Sequence, residues 1–172
     1  MTHLARLERA GWDAAVRKAA VSGAIAAGAT TAGVAIAGAR DSGNAVAPIN
    51  ATSHIVWGES ASHVGNVDVR HTLLGLALNA GACVFWATFY ERWFGRAADR
   101  GDAGRALLGG AAVAAAAYVT DYHLVPKRLT PGWEARIRPG SLAAMYAVLA
   151  IALPLRGLLA RKPRRRRRLL RR

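Results

Sequence analysis

The stretch Thr72–Tyr90, TLLGLALNAGACVFWATFY, runs for 19 positions without a formal charge. A helix rises about 1.5 Å per residue, so roughly 20 residues cross a ~30 Å hydrocarbon layer. The stretch therefore reads as a membrane span, and the chain repeats the pattern. Residues 19–39 hold 21 uncharged positions, and residues 106–120 and 141–155 hold 15 each. The third run reaches spanning length by including Asp121-Tyr122-His123-Leu124-Val125. The fourth does so if Arg156 snorkels to the surface and leaves Gly157 to Ala160 as its end. The expected spans are about 19–39, 72–90, 106–125 and 141–160. Alanine and glycine outweigh leucine in them, so each insertion signal is modest. The competing reading is a soluble bundle. Four such segments in a chain of 172 residues, 53% of them apolar, leave too little polar helix face to cover a soluble core. The fold class is all-α: an integral membrane four-helix bundle forming one domain.

Charge sets the expected orientation. The chain carries 24 basic and 10 acidic residues, for a formal charge of +14. Ten of the basic residues lie between Arg156 and Arg172, so an evenly basic nucleic-acid binder is disfavoured and no nucleic acid is expected as a partner. Arg6, Arg9, Arg17 and Lys18 precede the first span, and Arg92, Arg96, Arg100 and Arg105 separate the second from the third. With the tail, 18 of the 24 basic residues fall on one side. The positive-inside rule then puts both termini in the cytoplasm and a long loop, Arg40 to Arg70, outside. The charged residues 1–18 contain no separate apolar core or cleavage site, so the first span is expected to be a signal-anchor. The dominance of alanine and arginine points to a high-GC bacterium, and hence to a multi-pass protein of the cell inner membrane.

Residues 1–18 have the pattern of an amphipathic cytosolic segment, with Leu4, Leu7, Trp12 and Ala15 near one face. It is expected either flat on the inner leaflet or as a plain extension of the first span. Small residues four apart in that span, Ala24-x3-Gly28-x3-Ala32 and Gly33-x3-Ala37, permit close helix approach, within the bundle or between copies. In the first loop, Thr52 or Ser53 is expected to cap a short helix running to about His63. Asn50-Ala51-Thr52 matches a glycosylation sequon, read as coincidence in a bacterial protein. Pro126 ends the third span and Pro131-Gly132 marks a turn. Trp57 and Trp133 outside, with Trp12, Trp86 and Trp93 inside, resemble interfacial belts. Asn79 is expected to hydrogen-bond a neighbouring helix.

Four of the five histidines, His54, His63, His71 and His123, fall on the outer side with Glu59, Asp68 and Asp121. Histidine with carboxylate is the usual ligand set for zinc, copper or non-haem iron, and could equally serve acid–base chemistry. The outer-face cluster His54, His71, Asp121 and His123 is the candidate site, with His63 a further candidate ligand. No HExxH spacing or catalytic motif encloses these residues, and a structural role is the competing reading. The short inner loop makes the second and third spans antiparallel neighbours, so Asp121 is expected to pair with Arg70 or His71. A haem between His71 and His123 is disfavoured because both lie at span ends. No cofactor is expected. One cysteine, Cys83, excludes a disulfide framework and a cysteine-based zinc site.

The tail, residues 161–172, is a polybasic juxtamembrane segment. Arg161, Lys162, Arg164, Arg165, Arg166, Arg167 and Arg168 are expected to contact anionic lipid headgroups.

The stretches Ala47-Pro48-Ile49-Asn50-Ala51-Thr52-Ser53-His54, Arg70-His71-Thr72, Phe85-Trp86-Ala87-Thr88-Phe89-Tyr90-Glu91 and Asp121 to Gly132 resemble a group of small, uncharacterised bacterial inner-membrane proteins, over about residues 15–155. The resemblance implies a four-helix membrane architecture and no activity. The expected function is a non-enzymatic scaffold or accessory subunit packing against a larger membrane protein or itself. The alternative is a membrane enzyme or metal-binding protein with its site on the outer face. A transporter is weakest, since no charged residue lies mid-membrane.

Overall fold

The computed structural model describes residues 3–160, with side chains from residue 8 onward. The headgroup contacts expected of Arg161, Lys162, Arg164, Arg165, Arg166, Arg167 and Arg168 lie outside the described residues. So does the apolar face expected of Leu4 and Leu7. Four helical segments are long and apolar enough to cross a membrane: Glu8–Ser42, Val69–Trp93, Ala103–Leu124 and Pro139–Leu159.

Their bounds differ from those expected. Helix α1, His3–Ser42, runs 40 residues without a break, so residues 3–18 are not a separate element from Ala19 onward. Nothing interrupts the backbone between them: Ser22 and Thr30 donate back to the Lys18 and Ala26 carbonyls, within the helix. The helix stops before Gly43, whose φ of 70° is left-handed. Helix α4, Val69–Trp93, starts at Asp68, whose carboxylate accepts from the Arg70 amide at 3.0 Å. Short helix α5, Gly95–Arg100, lies in the loop that follows. Helix α6, Ala103–Val119, is capped by Asp102 and passes into a π-helical turn, Thr120–Leu124. The fourth span is two helices, α7, Pro139–Ala152, and α8, Leu155–Leu159, where the sequence predicts a single helix over 141–160. Pro154 lacks the N–H that would continue it and its ring crowds the preceding turn, so the chain breaks at Leu153–Pro154.

Small residues set the packing. A Cβ on Gly23 would fall 2.6 Å from Val84 Cα, so α1 and α4 touch backbone to backbone. A Cβ on Gly110 would fall 2.1 Å from the Ala150 carbonyl oxygen, which holds α6 equally close to α7. Gly33 admits Met145 from α7. The two helix pairs enclose a core of Ala26, Ala87, Tyr90, Ala114, Leu149 and Leu153. The two small-residue patterns of α1 separate: Ala37 is buried and Gly33 meets Met145, while Ala24, Gly28 and Ala32 are exposed. Asn79 bridges as expected, donating to Thr31 Oγ1 at 3.0 Å and to Thr30 Oγ1 at 3.1 Å.

The end of the bundle holding the α4–α6 connection is tied by ions. The Arg156 guanidinium donates two 2.8 Å hydrogen bonds to the fully buried carboxylate of Glu91 and a third, also 2.8 Å, to Asp99, which accepts from Lys18 at 2.7 Å. Arg156 therefore does not snorkel; a desolvated carboxylate 65 positions away holds it. Burial alone would raise the Asp99 carboxyl, but the Lys18 ammonium and the Arg156 guanidinium outweigh it and hold it below the usual carboxylate range.

Candidate functional site

The opposite end is closed by a roof built from the two longer connections. The first, expected to be largely non-helical, folds into helices α2, Ala47–Ala51, and α3, His54–Trp57, and a 3-10 turn, Glu59–His63. Ser53 does occupy the N-cap position of α3, but its side chain makes no capping hydrogen bond, and α3 ends at Trp57 with the 3-10 turn carrying the chain on to His63. Pro48 lies in the first turn of the preceding α2, and Ser53 Oγ is buried without a hydrogen-bond partner among the described residues. Asn50 organises this connection. It is fully buried, its Nδ2 donates to the Val64 and Asn66 carbonyls at 3.1 and 2.8 Å, and its Oδ1 accepts from Thr72 Oγ1 at 2.7 Å. Asn44 repeats the device, accepting from the Val46 and Ala47 amides and donating to the Gly65 carbonyl. Two glycines admit the roof: a Cβ on Gly75 would fall 2.1 Å from the Ile49 carbonyl oxygen, and one on Gly38 would fall 2.6 Å from Pro48 Cγ.

The second connection, Val125–Arg138, lies against the first. His54 Nδ1 is 2.8 Å from the Ala51 carbonyl oxygen, and its Nε2 faces the Lys127 carbonyl oxygen at 3.4 Å. Arg136 Nε donates to the Ser62 carbonyl at 2.7 Å, while its Nη2 is buried without a partner among the described residues. Trp133 is 7% exposed and packs on Val34 and Met145. It is roof core and not a belt residue; Trp57 is exposed, with the Arg70 guanidinium 3.9 Å from its ring centre.

Alternate residues of Thr130–Glu134 face two spaces. On the roof side is a recess of ≈ 340 Å³ lined by His54, Glu59, Tyr122, Thr130 and Glu134. Tyr122 Oη donates to Glu134 at 3.2 Å, and Thr130 Oγ1 lies 2.6 Å from the same carboxylate. On the bundle side, Pro131 and Trp133 cover a mainly apolar cavity of ≈ 250 Å³ with Asn79, Cys83, Asp121 and Tyr146 on its walls. The π-helical turn at Thr120–Leu124 serves both: Asp121 faces the cavity and Tyr122 the recess.

The expected cluster is thus distributed. Asp121 accepts from Tyr146 Oη at 2.7 Å and does not pair with Arg70. The partner sits on α7, whose almost uniformly apolar sequence hides which face it turns inward. His71 binds Asp68, within its own first turn. That contact, ahead of the Arg70 amide, holds the Asp68 carboxyl below its ordinary range. His123 is exposed beside Tyr118, with ring centroids 5.6 Å apart, and His63 is exposed. His54 alone enters the recess. Among the described residues no three His, Cys, Asp or Glu side chains are grouped so as to hold a metal ion. Sequence reasoning missed Tyr146 and Glu134. It passed over Asn50 as a sequon, although an asparagine inside an apolar run is itself a sign of a buried hydrogen-bonding centre.

Comparison with family models, with curated proteins and with solved structures finds no match for the chain.

Proposed function

We propose that the chain is a small multi-pass protein of a bacterial inner membrane, a non-enzymatic scaffold or accessory subunit. Both termini lie in the cytoplasm and the roof faces outward. The observation that carries this reading is how the chemistry-bearing residues are used. His54 is bound to backbone carbonyls of both connections and Asp121 to Tyr146, each holding one element against another, while His71 binds Asp68 within the first turn of α4. What stays exposed is a helix face with small residues, Ala24, Gly28 and Ala32, where Gly28 has open space above it. Such a face lets a second transmembrane helix approach closely.

Orientation is tested by Ser60→Cys in a Cys83→Ala background. Ser60 is exposed on the roof, and an impermeant maleimide is expected to label it in intact cells. Protection would reverse the topology. Function is tested by Gly28→Cys cross-linking in native membranes. A discrete adduct, with a larger membrane protein or a second copy, is expected. Its absence, together with about one equivalent of metal in the purified protein that His54→Ala removes, would replace this reading by an outer-face enzyme or metal-binding protein. That alternative has one specific observation in its favour, the recess that His54, Glu59 and Glu134 line without converging on a common point.

A further inference from the structure

Between the helix pairs α1/α4 and α6/α7, α4 and α6 meet where Tyr90 Oη donates to the Ala106 carbonyl at 3.3 Å and Phe94 packs on Gly109, and the gap is open beyond those contacts. An apolar groove of ≈ 430 Å³ runs along it, with Phe85, Phe89 and Trp93 on one wall and Ala112 and Ala116 on the other. The aromatic wall is braced: Phe89 meets Phe85 edge-on at 5.0 Å and stacks on Trp93 at 5.4 Å. The alanines opposite are exposed and fill little of the space. At the ion-paired end the groove adjoins a second recess, of ≈ 250 Å³, sharing Trp93 and Phe94 and lined by Arg96, Arg100 and Arg105. Arg96 and Arg100 enter no salt bridge among the described residues, and Arg105 has only an exposed 3.6 Å contact with Asp102. Glu91 and Asp99, the nearby carboxylates, are taken by Arg156 and Lys18.

An apolar slot that ends in three guanidinium groups, two of them without a salt bridge among the described residues, has the chemistry of a charged lipid. Leu108 lines the basic recess and Thr120 the groove's far end, so the feature covers about 18 Å at the helical rise, roughly one leaflet of a ~30 Å hydrocarbon layer. Guanidinium groups bind phosphate oxygens with paired N–H donors, and an aromatic ring at headgroup level tolerates both phases. We propose that this groove binds one glycerophospholipid of net negative headgroup. An acyl chain lies against Phe85, Phe89, Ala112 and Ala116, and the phosphate sits among Arg96, Arg100 and Arg105. The site rests on the membrane placement proposed above and is separate from the polybasic tail.

Mass spectrometry of the full chain released from detergent, titrated with phosphatidylglycerol or phosphatidylcholine of equal chain length, tests it. One phosphatidylglycerol per chain is expected, retained at least about tenfold more tightly than phosphatidylcholine. Each basic residue near an anionic headgroup contributes roughly fivefold, so Arg96→Gln with Arg100→Gln should weaken phosphatidylglycerol about 25-fold and phosphatidylcholine, whose choline offsets its phosphate, by less, so that the selectivity falls. Ala116→Trp should displace the lipid while helicity is preserved, and deletion of residues 161–172 should leave it bound. Equal retention of the two lipids, loss on tail deletion alone, or displacement by millimolar inorganic phosphate would each overturn the site. Alkaline carbonate extraction separates the two readings. Release of the chain from membranes would overturn the membrane placement, whereas retention without lipid selectivity would overturn the groove assignment alone.

Discussion

Asn50→Ala should open the roof without dissolving the bundle. The substitution removes three hydrogen bonds, to Val64, Asn66 and Thr72, and leaves two carbonyl oxygens and a hydroxyl without their partner at a fully buried position. At about 1 kcal/mol net per bond, the roof loses on the order of 3 kcal/mol. The readout must be local, because α2 and α3 can detach while the long helices stay packed. Ser62, 2% exposed beneath the roof, provides it: in a Ser62→Cys, Cys83→Ala chain, maleimide labelling reports roof opening. A loss of about 3 kcal/mol corresponds to labelling on the order of a hundredfold faster. Asn50→Asp should be worse still at neutral pH. It keeps the acceptor for Thr72 but turns a carboxylate oxygen toward two carbonyl oxygens. Thr72→Val, which removes one of the three bonds and the acceptor for the Asp68 amide, should cost about 2 kcal/mol and couple to Asn50→Ala by about 1 kcal/mol. Labelling accelerated less than about threefold by Asn50→Ala would show that the roof is held by something other than this side chain.

Three further outcomes follow from the same structure. Gly75→Ala drives a methyl group into the Ile49 carbonyl, so Ser62→Cys labelling should rise while helicity by circular dichroism is unchanged. Glu91→Ala removes two of the three carboxylate hydrogen bonds of Arg156 and leaves it Asp99 alone, and should cost about 3 kcal/mol in thermal or denaturant unfolding in a fixed micelle, with Glu91→Leu/Arg156→Leu recovering much of it. The Asp99 carboxyl is held below its ordinary value, so its stabilising contribution is complete above about pH 4 and is lost as the pH falls through the lowered folded value. The stability gap between the native chain and Asp99→Asn should therefore be flat from about pH 7 to about pH 5 and close only in stronger acid.

The four spans are legible because crossing a bilayer demands long uncharged runs. Their ends are not, because a charge criterion stops at Lys18 or Arg70 while the helical backbone continues through both. Pro154 sits inside an apolar run, and hydropathy passes over a residue that backbone geometry cannot continue. The layer of histidines and carboxylates follows from topology, but topology fixes height along the bundle and not rotation about each helix. Sequence reasoning gives Asp121 a partner on the neighbouring α4, whereas α7 presents Tyr146. It sends Arg156 to the lipid surface because the true partner, Glu91, lies 65 positions away in sequence.

The placement of polar pairs follows from what a bilayer withholds. Between helices surrounded by hydrocarbon, burying another apolar side chain gains little, since lipid tails are as apolar as leucine. Cohesion must come from contacts that lipid cannot imitate. At mid-depth these are backbone approaches at Gly23 and Gly110 and the Asn79–Thr30–Thr31 bridge. At one end they are hydrogen bonds from Asn44, Asn50 and His54 to backbone carbonyls, which fix a roof over a small cavity. At the other they are charges, with Arg156 serving two carboxylates at once. Among the described residues, the gap between α4 and α6 has such a device only at its basic end, where the buried Tyr90 Oη donates to the Ala106 carbonyl at 3.3 Å. Phe94 packs on Gly109 near its basic end, and beyond that contact the aromatic wall faces open space. A bundle that spends glycines and buried polar groups to close its other seams leaves this one to be filled from outside the chain. The three arginines at its mouth select what fills it.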